Sequence, residues 1–523
     1  MASNVELAVS RIASVNPATG EVLGELDSGG PAEVRAAVAR ARGAQPDWNA
    51  WGIRNRLRVL RSFQQAVLAR KNDIARRITQ EAGKPLVEAL LAEVLVVLDA
   101  ARFLTDNAFA ILREEKLPHG NLAMKTKSGR ILHQPYGVVG IISSWNYPFS
   151  IPATGVMAAL VAGNTVVLKP SELTPLIVLD LQALLREAGF PDDVFLVLPG
   201  EAATGAALVA SEIDKLVFTG SVATGRRLAQ TAAERLLPVV LELGGKDPML
   251  VLEDADIDVA SSGAVWGAFM NAGQTCLSVE RCFVHRSLYS EFLDACCAKA
   301  RKLRVGNGMD PATEIGPMIH ERQVRVVESQ LEDARQRGAR VLTGGARLRE
   351  LGPTFFAPTV LVEVNHSMRV MQEETFGPLL PIAPFADDTE AVRLANHSDY
   401  GLAASVWTRD RARGERLARL IDAGTVMVND AVSCFSISEA PHGGVKASGI
   451  GRTHGRWGLE EMVRVKYLDS DRVPGVKKIW WFGYGAGFAG EMESFLDLLY
   501  ARPLRERLKA GVRSAAALWR KKL

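Results

Sequence analysis

The chain has 523 residues, too long for one ordinary core, so two or three domains are expected. Its hydrophobic fraction of 48% and charged fraction of 23% are those of a soluble globular protein. A formal net charge of +3 over this length is close to neutral, so bulk charge gives no case for nucleic-acid binding.

From the N-terminus, Glu6 comes early and no basic flank precedes a long apolar core. A secretory signal is therefore not expected. Residues 125–134 alternate polar and apolar side chains, as an extended ribbon does. Residues 134–168 then carry no charge and are long enough to suggest a membrane span. Asn146, Pro148, Pro152, Gly155 and Asn164 break that run into strand, turn, helix and strand, which reads as the interior of an α/β protein. Strands are predicted at 137–143 and 164–168, and an amphipathic helix over 174–188. Further strands are predicted at 194–198 and 215–218. Residues 220–225 then open a helix over 226–236, and a strand follows at 239–243. After Gly244 and Gly245 the pattern starts again, with a strand at 249–252 and a helix over 260–270, and continues to about residue 444. A second polar–apolar alternation follows at 464–472. Strands alternating with helices predict parallel α/β architecture.

Several short segments carry side chains able to do chemistry. Gly273-Gln274-Thr275-Cys276 follows the 260–270 helix, and a cysteine is a strong nucleophile once its thiolate is populated. Taken alone, Cys276 is equally well a small buried hydrophobe. Glu242 ends an apolar strand before two glycines, where burial raises a carboxyl pKa toward the range of a general base. The bland alternative is a structural glutamate paired with Lys246. Asn146, in Trp145-Asn146-Tyr147-Pro148, offers an amide to a developing oxyanion, or is only a turn residue. Lys169 and Glu172 follow a strand, where ribose hydroxyls are held. Gly220, Ser221 and Gly225 lie between strand and helix, where a phosphate is bound, although this is not the G-x-G-x-x-G fingerprint. Glu373-Glu374-Thr375-Phe376-Gly377-Pro378 reads by itself as solvated surface. The cysteines at 276, 282, 296, 297 and 434 are odd in number and lack zinc-finger spacing. No metal is predicted, and free thiols point to a reducing, cytoplasmic setting.

As an ordered set, LELGGK at 241–246, GQTC at 273–276 and EETFGP at 373–378 resemble the aldehyde dehydrogenase superfamily. The resemblance runs from VNPATGEVL at residue 15 to about residue 469. It implies a Rossmann-type cofactor domain (1–120 and 136–245), an α/β catalytic domain (246–445) and a bridging β ribbon (121–135 and 460–473). It further implies that Cys276 attacks an aldehyde, that Asn146 holds the oxyanion, and that Glu242 activates the water that hydrolyses the thioester. Lys169 and Glu172 match ribose-binding positions, and Gly220, Ser221 and Gly225 match the pyrophosphate loop. Glu374 and Phe376 match the nicotinamide-ribose side. A carboxylate at Glu172 would repel a 2′-phosphate, so NAD is expected over NADP. A homodimer or homotetramer is implied, since a lone ribbon leaves unpaired edges.

The sequence departs from the family pattern in places. His442 stands where phenylalanine is frequent, and the 430–439 loop that lines the substrate entrance is long. Gly155 and Thr453 occupy positions where some relatives carry a lysine–glutamate proton relay. Residues 474–523 extend past the family core. Leu504, Leu508, Val512, Ala515 and Trp519 fall at helical spacing there, with Arg505, Lys509, Arg513 and Arg520 on other faces. That is a basic amphipathic pattern, suited to an anionic lipid surface or to packing on its own or a neighbouring subunit. It motivates an apolar, medium- or long-chain aldehyde as substrate. The alternatives are a semialdehyde or aminoaldehyde dehydrogenase, a coenzyme A-acylating enzyme, and a non-catalytic or membrane-scaffolding protein on this fold.

Overall fold

The computed structural model describes residues 10–121, 124–478 and 480–511. It divides into two units, residues 1–112 with 134–464, and residues 113–133 with 465–523.

The first unit is built on two sheets. One has six strands in the order Gly449–Ile450, Val239–Glu242, Lys215–Thr219, Val138–Ile142, Thr165–Lys169 and Phe195–Val197. All are parallel except the short Gly449–Ile450 strand. Both faces of Val138–Ile142 and Thr165–Lys169 are buried, as a central parallel strand under two helical layers requires. That double burial is why residues 134–168 carry no charge. The chain places its first three strands on one side and the next two on the other, so the order reverses between Val138–Ile142 and Lys215–Thr219. A crevice opens beyond the carboxyl ends of the strands at such a reversal. Asn146 follows one of these two strands and Gly220 follows the other.

The second sheet has seven strands between Asp247 and Val428, parallel except for the pairing of Arg340–Thr343 with Thr359–Val362. The predicted helices stand at Leu176–Glu187, Val222–Glu234 and Ile257–Phe269. Among the described residues no helix is long and apolar enough to cross a membrane.

The second unit holds a three-stranded ribbon in the order Val463–Asp471, Lys127–Pro135, Glu115–Leu117. Its third strand, Glu115–Leu117, was not legible in three residues of sequence. Lys127 and Asp469 pair across it at 2.8 Å. The tail forms a helix at Phe488–Tyr500 with no fully buried residue, and residues 504–511 are helical. Trp481, Phe482, Tyr484, Leu504 and Leu508 are exposed. Val512, Arg513, Ala515, Trp519 and Arg520 of the predicted amphipathic pattern lie outside the described residues.

Candidate active site

The segment carrying Cys276 leaves the Ile257–Phe269 helix through three consecutive left-handed residues, Asn271 (φ 51°), Ala272 (φ 55°) and Gly273 (φ 73°). Two of them bear a Cβ, a conformation that costs on the order of 1 kcal/mol or more per residue. Hydrogen bonds hold the loop in it. The Asn271 N–H donates to Glu88 Oε2 at 2.9 Å, and the Asn271 amide donates to the carbonyls of Asn146 and Gln274, each at 3.1 Å. Gln274 donates to the Asn271 carbonyl and accepts from the Ile319 N–H. Gly273 also lies so close to Gly377 that a Cβ would meet its carbonyl. The loop therefore delivers Cys276, half-buried and unbridged, in a fixed position.

The orientation of Asn146 is decided by its neighbours. Its Nδ2 donates to the Gln274 carbonyl at 3.1 Å and its Oδ1 accepts from the Ser144 hydroxyl at 2.7 Å. An amide nitrogen has two hydrogens, so one remains for another acceptor. The Asn146 carbonyl is held from below by Lys84 Nζ at 2.7 Å. Lys84 is fully buried, bonds Glu93 Oε1 at 2.7 Å and lies 3.8 Å from the centroid of the Tyr147 ring. The other Glu93 oxygen accepts from the N–H groups of Phe149 and Ser150 at the start of the Ser150–Ala162 helix. Lys84, Glu88 and Glu93 were not singled out from the sequence, because each meets its partner from 56 to 183 residues away along the chain.

Glu242 is buried, and neither of its oxygens has a hydrogen-bond partner. Burial pushes its pKa well above the ordinary carboxylate value, and the Arg452 charge and the nearby Thr453 hydroxyl offset only part of that. The structure excludes the pairing of Glu242 with Lys246. Lys246 instead bonds Glu280 Oε2 at 2.6 Å and the Thr375 hydroxyl at 3.1 Å. Glu280, also missed in the sequence, accepts from the N–H groups of Thr375 and Phe376 and so fixes the EETFGP turn. The turn faces inward from Glu374 to Pro378, while Glu373 stays at the surface and pairs with Arg369.

Glu374 lies against this arrangement, accepting from the Gly245 N–H at 3.1 Å. Its pKa is pushed up to about 8, chiefly by burial and then by Glu280. Gly245 itself abuts the Cys276 carbonyl, leaving no room for a side chain. The Cys276 thiol is held well above the ordinary cysteine value, first by burial and then by Asp247, Glu374 and Glu242. Cys276, Glu242, Asn146 and Glu374 thus converge, although they are scattered over more than 200 residues.

The predicted cofactor residues line the same sheet edge. Lys169 ends its strand, and its Nζ pairs with Glu172 at 3.1 Å. Burial opposes ionisation of Glu172, but Lys169 and other groups outweigh it and leave the pKa below the ordinary value. Ser221 caps the Val222–Glu234 helix, accepting from the Thr224 N–H at 3.3 Å, and the Gly220 N–H bonds the Glu242 carbonyl at 3.1 Å. An ionised carboxylate, a lysine and a capped helix N-terminus at a strand-order reversal fit a dinucleotide. Gly225 lies within the Val222–Glu234 helix. It lets the helix pack against Leu243, whose side chain a Cβ would strike. Phe376 meets Trp145 edge to face at 5.4 Å.

A pocket leads to Cys276. Its walls are Leu91, Ile151, Trp266, Met270, Leu277, Val432 and Phe435, with Thr275, Ser433 and Ser436 as polar members. Val432 to Ser436 belong to the loop expected at the substrate entrance. Leu91 and Trp266 are exposed, so the apolar lining continues to the surface.

The profile described as the aldehyde dehydrogenase family matches residues 5–468. A "4,4'-diapolycopene aldehyde oxidase" of Methylomonas sp is 39% identical over 518 residues, covering 98% of this chain and 95% of that protein. A "Probable succinate-semialdehyde dehydrogenase" of Sinorhizobium fredii, marked NADP(+), is 41% identical over 464 residues, 88% of this chain and 92% of the relative. Among solved structures, an NAD+ complex of an aldehyde dehydrogenase from Bacillus cereus superposes with a TM-score of 0.85 at 36% identity. That superposition covers 88% of this chain and 93% of the other.

Proposed function

The chain belongs to the aldehyde dehydrogenase family, and from that premise we propose that it oxidises a long, apolar aldehyde to the carboxylic acid with NAD. The observation that carries the substrate class is the pocket wall. No charged side chain lines it, so a semialdehyde or aminoaldehyde would bury its charge without a partner. The relative named for diapolycopene aldehyde, a long hydrocarbon aldehyde by its name, aligns over nearly all of this chain, including most of the tail beyond the family profile. The exposed Leu91 and Trp266 give an apolar chain a surface to follow outward from the pocket.

In the proposed reaction the Cys276 S–H bond breaks, its proton passing to the ionised Glu242 and on to solvent before hydrolysis, as the sulfur bonds to the aldehyde carbon. The second Asn146 N–H and the backbone N–H of Cys276 hold the resulting oxyanion. A nicotinamide bound beside Glu374 and Phe376 supplies the hydride acceptor, and the product on the protein is a Cys276 thioester. Glu242 takes a proton from water as that water attacks the thioester, which releases the acid and restores the thiol. Lys169 and the ionised Glu172 hold the adenosine ribose, and Glu172 disfavours a 2′-phosphate.

The test is NADH formation over a ladder of aldehydes from two carbons to long polyenes, beside succinate semialdehyde and Cys276→Ala. Cys276-dependent turnover whose kcat/KM rises with apolar length is expected. A preference for the semialdehyde would refute the substrate class and leave the chemistry standing.

A further inference from the structure

We propose that His442 takes from Glu242 the proton that Glu242 acquires from the hydrolytic water and passes it on to solvent. The proposal rests on the reading of Glu242 as the base for thioester hydrolysis.

A buried base can act repeatedly only if its proton leaves, and the surroundings of Glu242 offer few routes. Its oxygens have no hydrogen-bond partner. The nearest titratable nitrogen is His442 Nε2, 3.6 Å from Oε2. A small rotation of either side chain closes that gap to a hydrogen bond. The segment holding His442 and His454 is tied to the Glu242 strand. Gly449 and Ile450 pair with Glu242 and Leu241, and His442 and Thr453 exchange backbone hydrogen bonds at 2.8 and 2.7 Å.

His442 and His454 are both enclosed. Phe435 meets His442 edge-on at 5.1 Å and His454 at 4.6 Å, and the two imidazoles lie 5.8 Å apart. His454 Nδ1 is 3.4 Å from the Thr453 hydroxyl, while its Nε2 is a buried nitrogen without a partner. His454 is also held at φ 60°, in the left-handed region. The other groups facing this cluster are the Cys276 thiol and the Arg452 guanidinium. Arg452 is bonded to the carbonyls of Gly444 and Gly451.

Burial holds His442 at about 3 and His454 at about 4, so both are neutral at rest. A neutral Nε2 can accept a proton. The transfer from a carboxyl of raised pKa to so weak a base is uphill, so the imidazolium is a transient that gives the proton up again and not a resting state. In the proposed step the Glu242 O–H bond breaks as an N–H bond forms at His442 Nε2. The contact pair of carboxylate and imidazolium is stabilised by its own attraction in a dry site. The imidazolium then releases its Nδ1 proton toward solvent water and returns neutral, in the other tautomer.

The experiment follows one turnover by rapid mixing, reading NADH and acid separately across pH in H2O and D2O. His442→Phe keeps the ring that packs on Phe435 and removes both nitrogens. It is expected to leave the first-turnover NADH rate within about twofold, to slow acid formation about tenfold or more and to enlarge its solvent isotope effect. With His442→Ala, added imidazole should restore acid formation in proportion to its concentration. His442→Asn gives the same readouts if His442→Phe does not fold. The proposal is overturned if acid formation and its pH profile in these variants match wild type, or if imidazole restores nothing. Glu242→Gln separates the two levels of the argument. If it forms acid at the wild-type rate, the reading of Glu242 fails first.

Discussion

Lys84→Met tests whether a buried ion pair holds the oxyanion site in register. The ammonium has three hydrogens. It spends two on Glu93 and the Asn146 carbonyl, both at 2.7 Å, and turns its remaining face to the Tyr147 ring. Methionine keeps most of the volume and removes all three interactions. Removing one partner of a buried pair costs about 3–5 kcal/mol, because the other charge stays buried. Glu93 retains two N–H donors at a helix N-terminus, so the lower end, about 3 kcal/mol, is expected. The Asn146 carbonyl keeps only the Asn271 amide of its two donors, and kcat should fall about tenfold through misplacement of the Asn146 amide. Urea denaturation and steady-state kinetics measure the two effects. The double variant Lys84→Met/Glu93→Gln leaves no unpaired charge and should be more stable than Lys84→Met alone. A Lys84→Met protein within about 1 kcal/mol of wild type, the range of an exposed pair, would refute this account.

Asn146→Ala should lower kcat by about 10²–10³ with little change in stability, since it removes one oxyanion donor. Wild-type acid formation should rise with pH well past the ordinary carboxylate range, because burial raises the Glu242 pKa and only the ionised form takes a proton from water. A pH–rate profile already flat at about pH 5 would contradict that. Glu81 offers a stability test of the opposite sign. It accepts from Ser14 and from the N–H groups of Leu176 and Ile177, yet burial raises its pKa to about 7. The folded state binds this proton more tightly than the unfolded chain. Its stabilisation is therefore full below the unfolded pKa of about 4.3 and falls as pH rises toward 7. The stability difference between wild type and Glu81→Gln should shrink over that window, and a constant difference would show that Glu81 does not change charge there.

The alternation of strand and helix was legible because both central strands are buried on two faces and so are written as uninterrupted apolar runs. The reacting residues were legible only as an ordered set, since Cys276 alone reads as an ordinary buried cysteine. What the sequence hid was second contacts. Nothing local marks Glu280 as the anchor of the 373–378 turn, or Lys84 as the support of Asn146. Each is one charged residue whose partner lies elsewhere in the chain. His442 and Thr453 stood out in the sequence only as departures from the family pattern. The pairing of 449–450 with Leu241 and Glu242 brings them, with His454, to the proposed base.

The placement of charge around Cys276 bears on how such a site can work. Asp247, Glu374 and Glu242 all raise the thiol pKa, and burial raises each of theirs. In a dry site like charges cannot all ionise, so the cluster favours holding protons over carrying its full negative charge. Lys246 does not relieve this, because it is committed to Glu280. Glu374 is held by the Gly245 N–H and Asp247 by a backbone bond from Ala403, so both have donors that fix them. Glu242 has only the nearby Thr453 hydroxyl, and neither oxygen makes a close hydrogen bond. A carboxyl held so loosely can turn toward the thiol, the thioester or His442. The same lack of donors that makes Glu242 costly to bury is what suits it to move a proton.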